Sequence, residues 1–180
     1  PLGKNLSYGM DISSSIVFTD SIPLLAFIFK PFSSFLPDIF QYIGIWVLLC
    51  FILQSYFAWK LLSFFSKNRW LPIIGSLFFT LAPVYIIRLD GHYALFAQWV
   101  LLAGLYLYFK KEFSVIRWLI LLVITSMIHA YLLIMLLLLL LTDFIQRYFL
   151  KQISIREIIK QLSIIGISLF ILMYAIGYFM

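Results

Sequence analysis

Long apolar runs separated by short polar segments make up most of the chain after residue 38. Four of these runs are long enough to be predicted as membrane spans: residues 39–65, 71–87, 93–109 and 161–180. A fifth run, 115–148, would form a helix about 50 Å long, well beyond the roughly 30 Å hydrocarbon core of a bilayer. We therefore divide it at the sequence SMIHAY into a short span before His129 and a second span over residues 130–146.

The first 38 residues differ from the rest because Gly, Ser, Asn and Asp, which favour turns, interrupt them. Within this region SIPLLAFIF is too short to cross a membrane, and it predicts a re-entrant or interfacial helix. We expect Asp20 or Ser21 to be its N-cap and Pro23 to lie in its first turn. The chain then consists of an extracytoplasmic loop, residues 1–38, and a transmembrane bundle of about six spans or partial spans, residues 39–180.

The composition supports a membrane protein, since 64% of the 180 residues are hydrophobic and only 11% are charged. Soluble domains are about half apolar and about a quarter charged. The predicted fold class is therefore all-α, a polytopic transmembrane helix bundle. The chain lacks an initial Met and ends within an apolar run, so we expect a fragment of a longer membrane protein.

The net charge of +6 comes from basic residues that cluster between the apolar runs, which is a topology signal and does not indicate nucleic-acid binding. Loops 66–69, 110–117 and 147–160 carry most of these residues and are predicted to be cytoplasmic. The last of them has apolar residues at roughly helical spacing, which predicts an amphipathic helix lying on the cytoplasmic leaflet. Residues 1–38, 88–92 and the region near 129 then lie on the extracytoplasmic side.

The predicted extracytoplasmic face holds both histidines and most of the acidic residues. These polar residues are Asp11, Asp20, Asp38, Arg88, Asp90, His92 and His129. The sequence has no glycine-rich phosphate loop, no paired-cysteine zinc spacing and no G-x-S-x-G nucleophile elbow. Any chemistry is therefore expected where the short RLDGHY loop meets the N-terminal segment.

Three segments carry a resemblance to a known family: PLGKNLSYGMDISSSIVFTDSIPLLAFIFKPFSSFLP, FQYIGIWVLLCFILQSYFAWKLL and RLDGHYALFAQWVLLAGLYLYF. They resemble an uncharacterised bacterial family of polytopic membrane proteins that is grouped with the GT-C type glycosyltransferases. The resemblance implies an integral protein of the bacterial inner membrane that transfers sugar from a polyprenyl-phosphate donor on the extracytoplasmic side. GT-C enzymes commonly place an acidic residue in the first outer loop, just after the first span, whereas this chain begins inside such a loop.

Sugar transfer from a lipid phosphate needs a carboxylate to accept the acceptor's proton or to hold a metal, and cationic donors for the leaving phosphate. We predict Asp20 and Asp11 as catalytic residues, with a divalent metal as a candidate cofactor. The predicted substrate-binding residues are Arg88, Asp90, His92, Gln98, His129, Tyr131 and Lys30. The expected partners are membrane lipids and a polyprenyl-phosphate-linked sugar, and nucleic acid is not expected.

Structural roles compete with each of these assignments. Asp20 is equally well explained as an N-cap, and Arg88 with Asp90 as a local ion pair, whereas for Asp11 a turn residue is the favoured explanation. His92 also fits an interfacial hydrogen-bonding role. Two other functions therefore stay open: a transporter or flippase of lipid-linked substrates, and a non-catalytic membrane scaffold.

Overall fold

The computed structural model describes residues 2–4 and 15–179, so Asp11 lies outside the described residues. The described chain is helical, apart from one isolated β-bridge between Lys4 and Ser15. Its α-helices are α1 (Pro23–Phe29), α2 (Ile43–Leu62), α3 (Trp70–Thr80), α4 (Pro83–Ile86), α5 (Trp99–Phe109), α6 (Val115–Ser126), α7 (Ala130–Phe149) and α8 (Ile155–Ile176). Short 3-10 turns occupy Ile16–Phe18, Lys30–Phe35 and Ile87–Leu89. The predicted all-helical class is confirmed.

Three helices, α2, α7 and α8, are long and apolar enough to cross a membrane. The pair of helices from Trp70 to Leu89 is bent by 46° at a short break and makes a fourth candidate span if it is counted as one. Helices α5 and α6 have 11 and 12 residues, so each is about 17 Å long, which is shorter than the roughly 30 Å hydrocarbon core of a bilayer. These lengths are compatible with an integral membrane protein.

The connections between helices fall at two opposite ends of the bundle. The end that we call the histidine end contains residues 16–22, 87–98 and 127–129. The other, the basic end, contains residues 63–69, 110–114 and 150–154. Hydrogen bonds across the histidine end hold distant segments together, with Leu24 N–H donating to the Met127 carbonyl (2.8 Å) and the Tyr178 hydroxyl donating to the Ser126 carbonyl (2.7 Å).

Helix α5 is the central element, and it packs against α2, α6 and α7. Gly104 allows the close approach to α7, because a Cβ at this position would lie 2.5 Å from a Leu136 methyl carbon. Small residues commonly permit such close helix contacts in membrane proteins. Apolar side chains on the outer faces of the bundle stay exposed, for example Phe78 on α3, Ile134 on α7 and Phe170 on α8.

The division of the run 115–148 is confirmed. Helix α6 ends at Ser126 and α7 begins at Ala130, with His129 as the N-cap of α7. The imidazole Nδ1 of His129 accepts the backbone N–H of Tyr131 at 3.2 Å. A side-chain acceptor at this position satisfies one of the N–H groups that the first turn of a helix leaves free.

Three sequence expectations are wrong. The span predicted over 93–109 is helical only from Trp99; before it, the Tyr93 carbonyl accepts the Trp46 indole N–H in place of a helical backbone N–H. The segment 147–160 is not one amphipathic helix, since α7 continues to Phe149 and α8 begins at Ile155. A capping box explains that start, with Ser154 and Glu157 bonding each other's backbone N–H.

The third wrong expectation is the N-cap of α1. Ile22 occupies this position with φ of +52°, and no side chain caps the helix, whereas Pro23 begins the helix as predicted. A positive φ is strained for a β-branched residue. Ile22 is fully buried, and its carbonyl accepts the N–H groups of Leu25 and Ala26, which holds the strained conformation.

Candidate functional site

Asp20 anchors the N-terminal segment to the polypeptide next to His92. Its two carboxylate oxygens accept the backbone N–H groups of Tyr93 (2.6 Å) and Ala94 (2.8 Å). The Tyr93 carbonyl in turn accepts the indole N–H of Trp46 at 2.8 Å. Tyr93 is therefore held through both its backbone N–H and its carbonyl, and Asp20 caps a distant segment instead of its own helix.

Arg88 and His92 belong to one turn at this end of the bundle. The backbone N–H of His92 donates to the Arg88 carbonyl at 3.2 Å, and Gly91 between them has φ of +88°. Arg88 is half-buried, whereas Asp90 and His92 are exposed. Among the described residues no ion pair joins Arg88 to Asp90, so the local pair proposed from the sequence does not form here.

His129 enters the site from the break between α6 and α7. The Leu24–Met127 hydrogen bond places this break beside the start of α1, only two residues before His129. Because Nδ1 of His129 accepts the Tyr131 N–H, the neutral ring carries its proton on Nε2. The His129 side chain therefore presents a hydrogen-bond donor at its free edge.

The electrostatic environment of His129 includes groups from two other segments. Burial lowers the pKa of His129 below its usual value; the nearby Asp20 carboxylate opposes this shift and the nearby His92 adds to it. Asp20, His92 and His129 are thus close enough to interact electrostatically. They do not form a metal centre in this arrangement, because the described side chains contain no group of three His, Cys, Asp or Glu residues that could hold one ion.

The remaining predicted residues lie at different distances from this cluster. The exposed Tyr131 ring lies 5.0 Å from the His129 ring, centroid to centroid. Gln98 is half-buried just before α5, and its side chain does not cap that helix. Lys30 is exposed at the far end of α1, about 10 Å along the helix axis from Pro23, and among the described residues no ion pair joins it to a carboxylate. Asp11 is outside the described residues.

A buried polar cluster at the basic end was missed by the sequence analysis. Asp143 and Arg147 on α7 form an ion pair at 2.6 Å, with side chains that are 1% and 7% exposed. The Trp118 indole N–H donates to the second Asp143 oxygen at 3.0 Å. Arg147 also donates to the carbonyls of Lys110 (2.7 Å) and Lys111 (2.9 Å). All these bonds are internal, so the cluster ties the loop between α5 and α6 to α7.

The fold defines a helical bundle with three to four helices of membrane-spanning length, and its two polar ends differ in chemistry. The chain belongs to the family described as Domain of unknown function (DUF6311), which it matches over residues 1–180. No curated protein and no solved structure matches the chain significantly.

Proposed function

We propose that this chain is part of a membrane glycosyltransferase of the GT-C type, which transfers a sugar from a polyprenyl-phosphate donor on the extracytoplasmic side. The proposal is supported above all by the meeting of Asp20, His92 and His129 from three separate segments. They lie at the end of the bundle opposite the basic loops, which the positive-inside rule assigns to the cytoplasm.

The leaving group in this reaction is a lipid phosphate, and its developing negative charge must be stabilised by hydrogen-bond donors. His129 offers a neutral Nε2–H at the edge not used for capping. Arg88, in the same turn as His92, offers a planar guanidinium that matches phosphate oxygens. In this proposal both side chains bind the donor phosphate.

Asp20 is a weaker candidate for the base than its position in the sequence suggested. Two backbone N–H groups already bond both of its carboxylate oxygens, so the side chain is engaged in holding the Tyr93 backbone. The proposal therefore gives Asp20 the task of positioning the His92 turn, and it leaves Asp11 as the candidate base. The same bonding favours the alternative of a non-catalytic scaffold, in which Asp20 is only a structural anchor.

Transfer assays with labelled polyprenyl-phosphate sugars and protein in proteoliposomes distinguish these alternatives. Substituting Arg88→Gln or His129→Asn should reduce transfer by about 100-fold, as expected when a donor to a developing oxyanion is removed. Asparagine can still cap α7, so the second variant should stay folded. Lys67→Gln, exposed at the basic end, is the matched control. Folded variants with wild-type transfer, or no transfer from any such donor, would contradict the proposal.

A further inference from the structure

A groove on the side of the bundle, separate from the histidine end, combines an apolar floor with basic residues at one end. It has a volume of about 250 Å³ and lies where α5 meets α6, with Phe57 of α2 at its edge. Apart from Arg117 its walls are apolar or aromatic, and they include Trp99, Leu121 and Ile124. The groove follows α6 for about 10 Å, from Arg117 to Ile124.

The basic residues at the groove are placed where a lipid headgroup would lie. Arg117, in the first turn of α6, is exposed and lines the groove at the basic end. The ammonium of Lys110 lies 5.2 Å from the ring centroid of Tyr106, which is another groove residue. Two cations therefore lie beside one end of the apolar groove, which runs from there along α6.

From this arrangement we propose that the groove binds a membrane phospholipid with an anionic headgroup. Its acyl chain lies against Leu121 and Ile124, and its phosphate contacts Arg117 and Lys110. Charge complementarity favours this occupant over a neutral lipid or an apolar helix, since neither of these would use the cations. Basic residues near a membrane surface favour anionic lipids in the same way.

Native mass spectrometry of the protein released from phosphatidylcholine nanodiscs containing phosphatidylglycerol tests the proposal. Wild-type protein should retain phosphatidylglycerol in preference to phosphatidylcholine. Arg117→Gln should weaken this retention by about fivefold, as expected for one basic residue near a lipid headgroup. Lys110→Gln should have a similar effect, and the double variant should lose more than either single variant. Lys67→Gln, exposed at the same end but outside the groove, should retain phosphatidylglycerol like the wild type.

A second pair of variants tests the groove without changing charge. Ile120 lines it and is 55% exposed, so Ile120→Trp should fill it and release the lipid. Ile116, on the same helix but not in the groove, is 66% exposed, and Ile116→Trp should have no effect. The proposal is wrong if neutral and anionic lipids are retained equally, if Arg117→Gln behaves like Lys67→Gln, or if Ile120→Trp keeps the lipid.

Discussion

The carboxylate of Asp20 binds the backbone N–H of Tyr93, which lies 73 positions further along the chain, at 2.6 Å. Asp20 accepts a second bond from the backbone N–H of Ala94. The Tyr93 carbonyl accepts the indole N–H of Trp46. Helix α5 begins only at Trp99, and the turn that contains His92 lies beside the N-terminal segment. One acidic side chain thus bonds two consecutive backbone N–H groups of a segment remote in sequence.

Replacing Asp20 should therefore destabilise the histidine end. Asp20→Asn keeps one acceptor oxygen but turns an amide group toward the second backbone N–H, so one charge-assisted bond is lost. We expect a loss of about 1.5–3 kcal/mol in the free energy of unfolding. Thermal unfolding in detergent micelles measures it. Asp38→Asn, at an exposed position, should change stability little, and equal melting temperatures for the two variants would contradict the anchoring role.

The cap of α7 should make stability depend on pH. His129 has a pKa below its unfolded value of 6.5, mainly because of burial, so the unfolded state binds more protons between the two values. This contribution is fully present above about pH 6.5 and is lost as the pH falls through the lower, folded pKa. Protonation of Nδ1 would also remove the acceptor for the Tyr131 N–H.

Comparing melting temperatures at pH 7.5 and 5.5 tests this expectation. His129→Asn should be about as stable as the wild type at pH 7.5, because asparagine is a good N-cap, and it should lose this part of the pH dependence. His92→Gln leaves the cap in place and should retain most of it, because burial is the main cause of the lowered pKa of His129. If the wild type and His129→Asn lose the same stability on acidification, His129 is not the responsible group.

The ion pair of the basic end should be sensitive to the removal of one partner. Arg147→Met leaves the Asp143 carboxylate buried with only Trp118 bonded to it, which should cost about 3–5 kcal/mol. Replacing both residues by apolar ones should cost less than the sum of the single changes, since no unpaired buried charge remains. Unfolding measurements on the two single variants and the double variant give the coupling energy. Arg156→Gln, at an exposed position, is the control and should change the free energy of unfolding little. If Arg147→Met changed it as little as Arg156→Gln does, the role of the buried pair would be refuted.

The turn between Arg88 and His92 should require glycine. Gly91 has open space around it but a φ of +88°, so Gly91→Ala should cost about 1 kcal/mol through backbone strain alone. Gly91→Asn should be tolerated better, because asparagine adopts positive φ more readily. In helix α8 Gly166 also has open space, and there alanine should stabilise by about 0.5–1 kcal/mol. Thermal unfolding of the three variants should rank Gly166→Ala above Gly91→Asn, with Gly91→Ala lowest.

Features that depend on neighbouring residues could be predicted from the sequence. The break before His129 followed from the length of an apolar run and from the polar residues within it, and Pro23 marked the start of α1. The ion pair between Asp143 and Arg147 could also have been found, because charges four residues apart in an apolar helix face the same side. The contact between Asp143 and Trp118 could not have been found from the sequence, since Trp118 lies on another helix.

Features that depend on distant residues could not be predicted. Asp20 was expected to cap its own helix, and nothing near it in the sequence points to Tyr93. The expected helix over 147–160 was wrong because the local spacing of apolar residues does not show where two longer helices end and begin. The sequence named Asp20, His92 and His129 as candidates, whereas the contacts that hold these residues in place depend on the tertiary structure.

The hydrogen bond from Leu24 to Met127 has a consequence for biosynthesis. The ribosome delivers residue 24 about a hundred residues before residue 127, so the segment around Leu24 lacks this contact until α6 has been made. The Asp20 contact forms earlier, once residues 93 and 94 have emerged. The segment that leads into α1 is thus secured only after later helices have been made, and the histidine end is completed only after α6 has been synthesised.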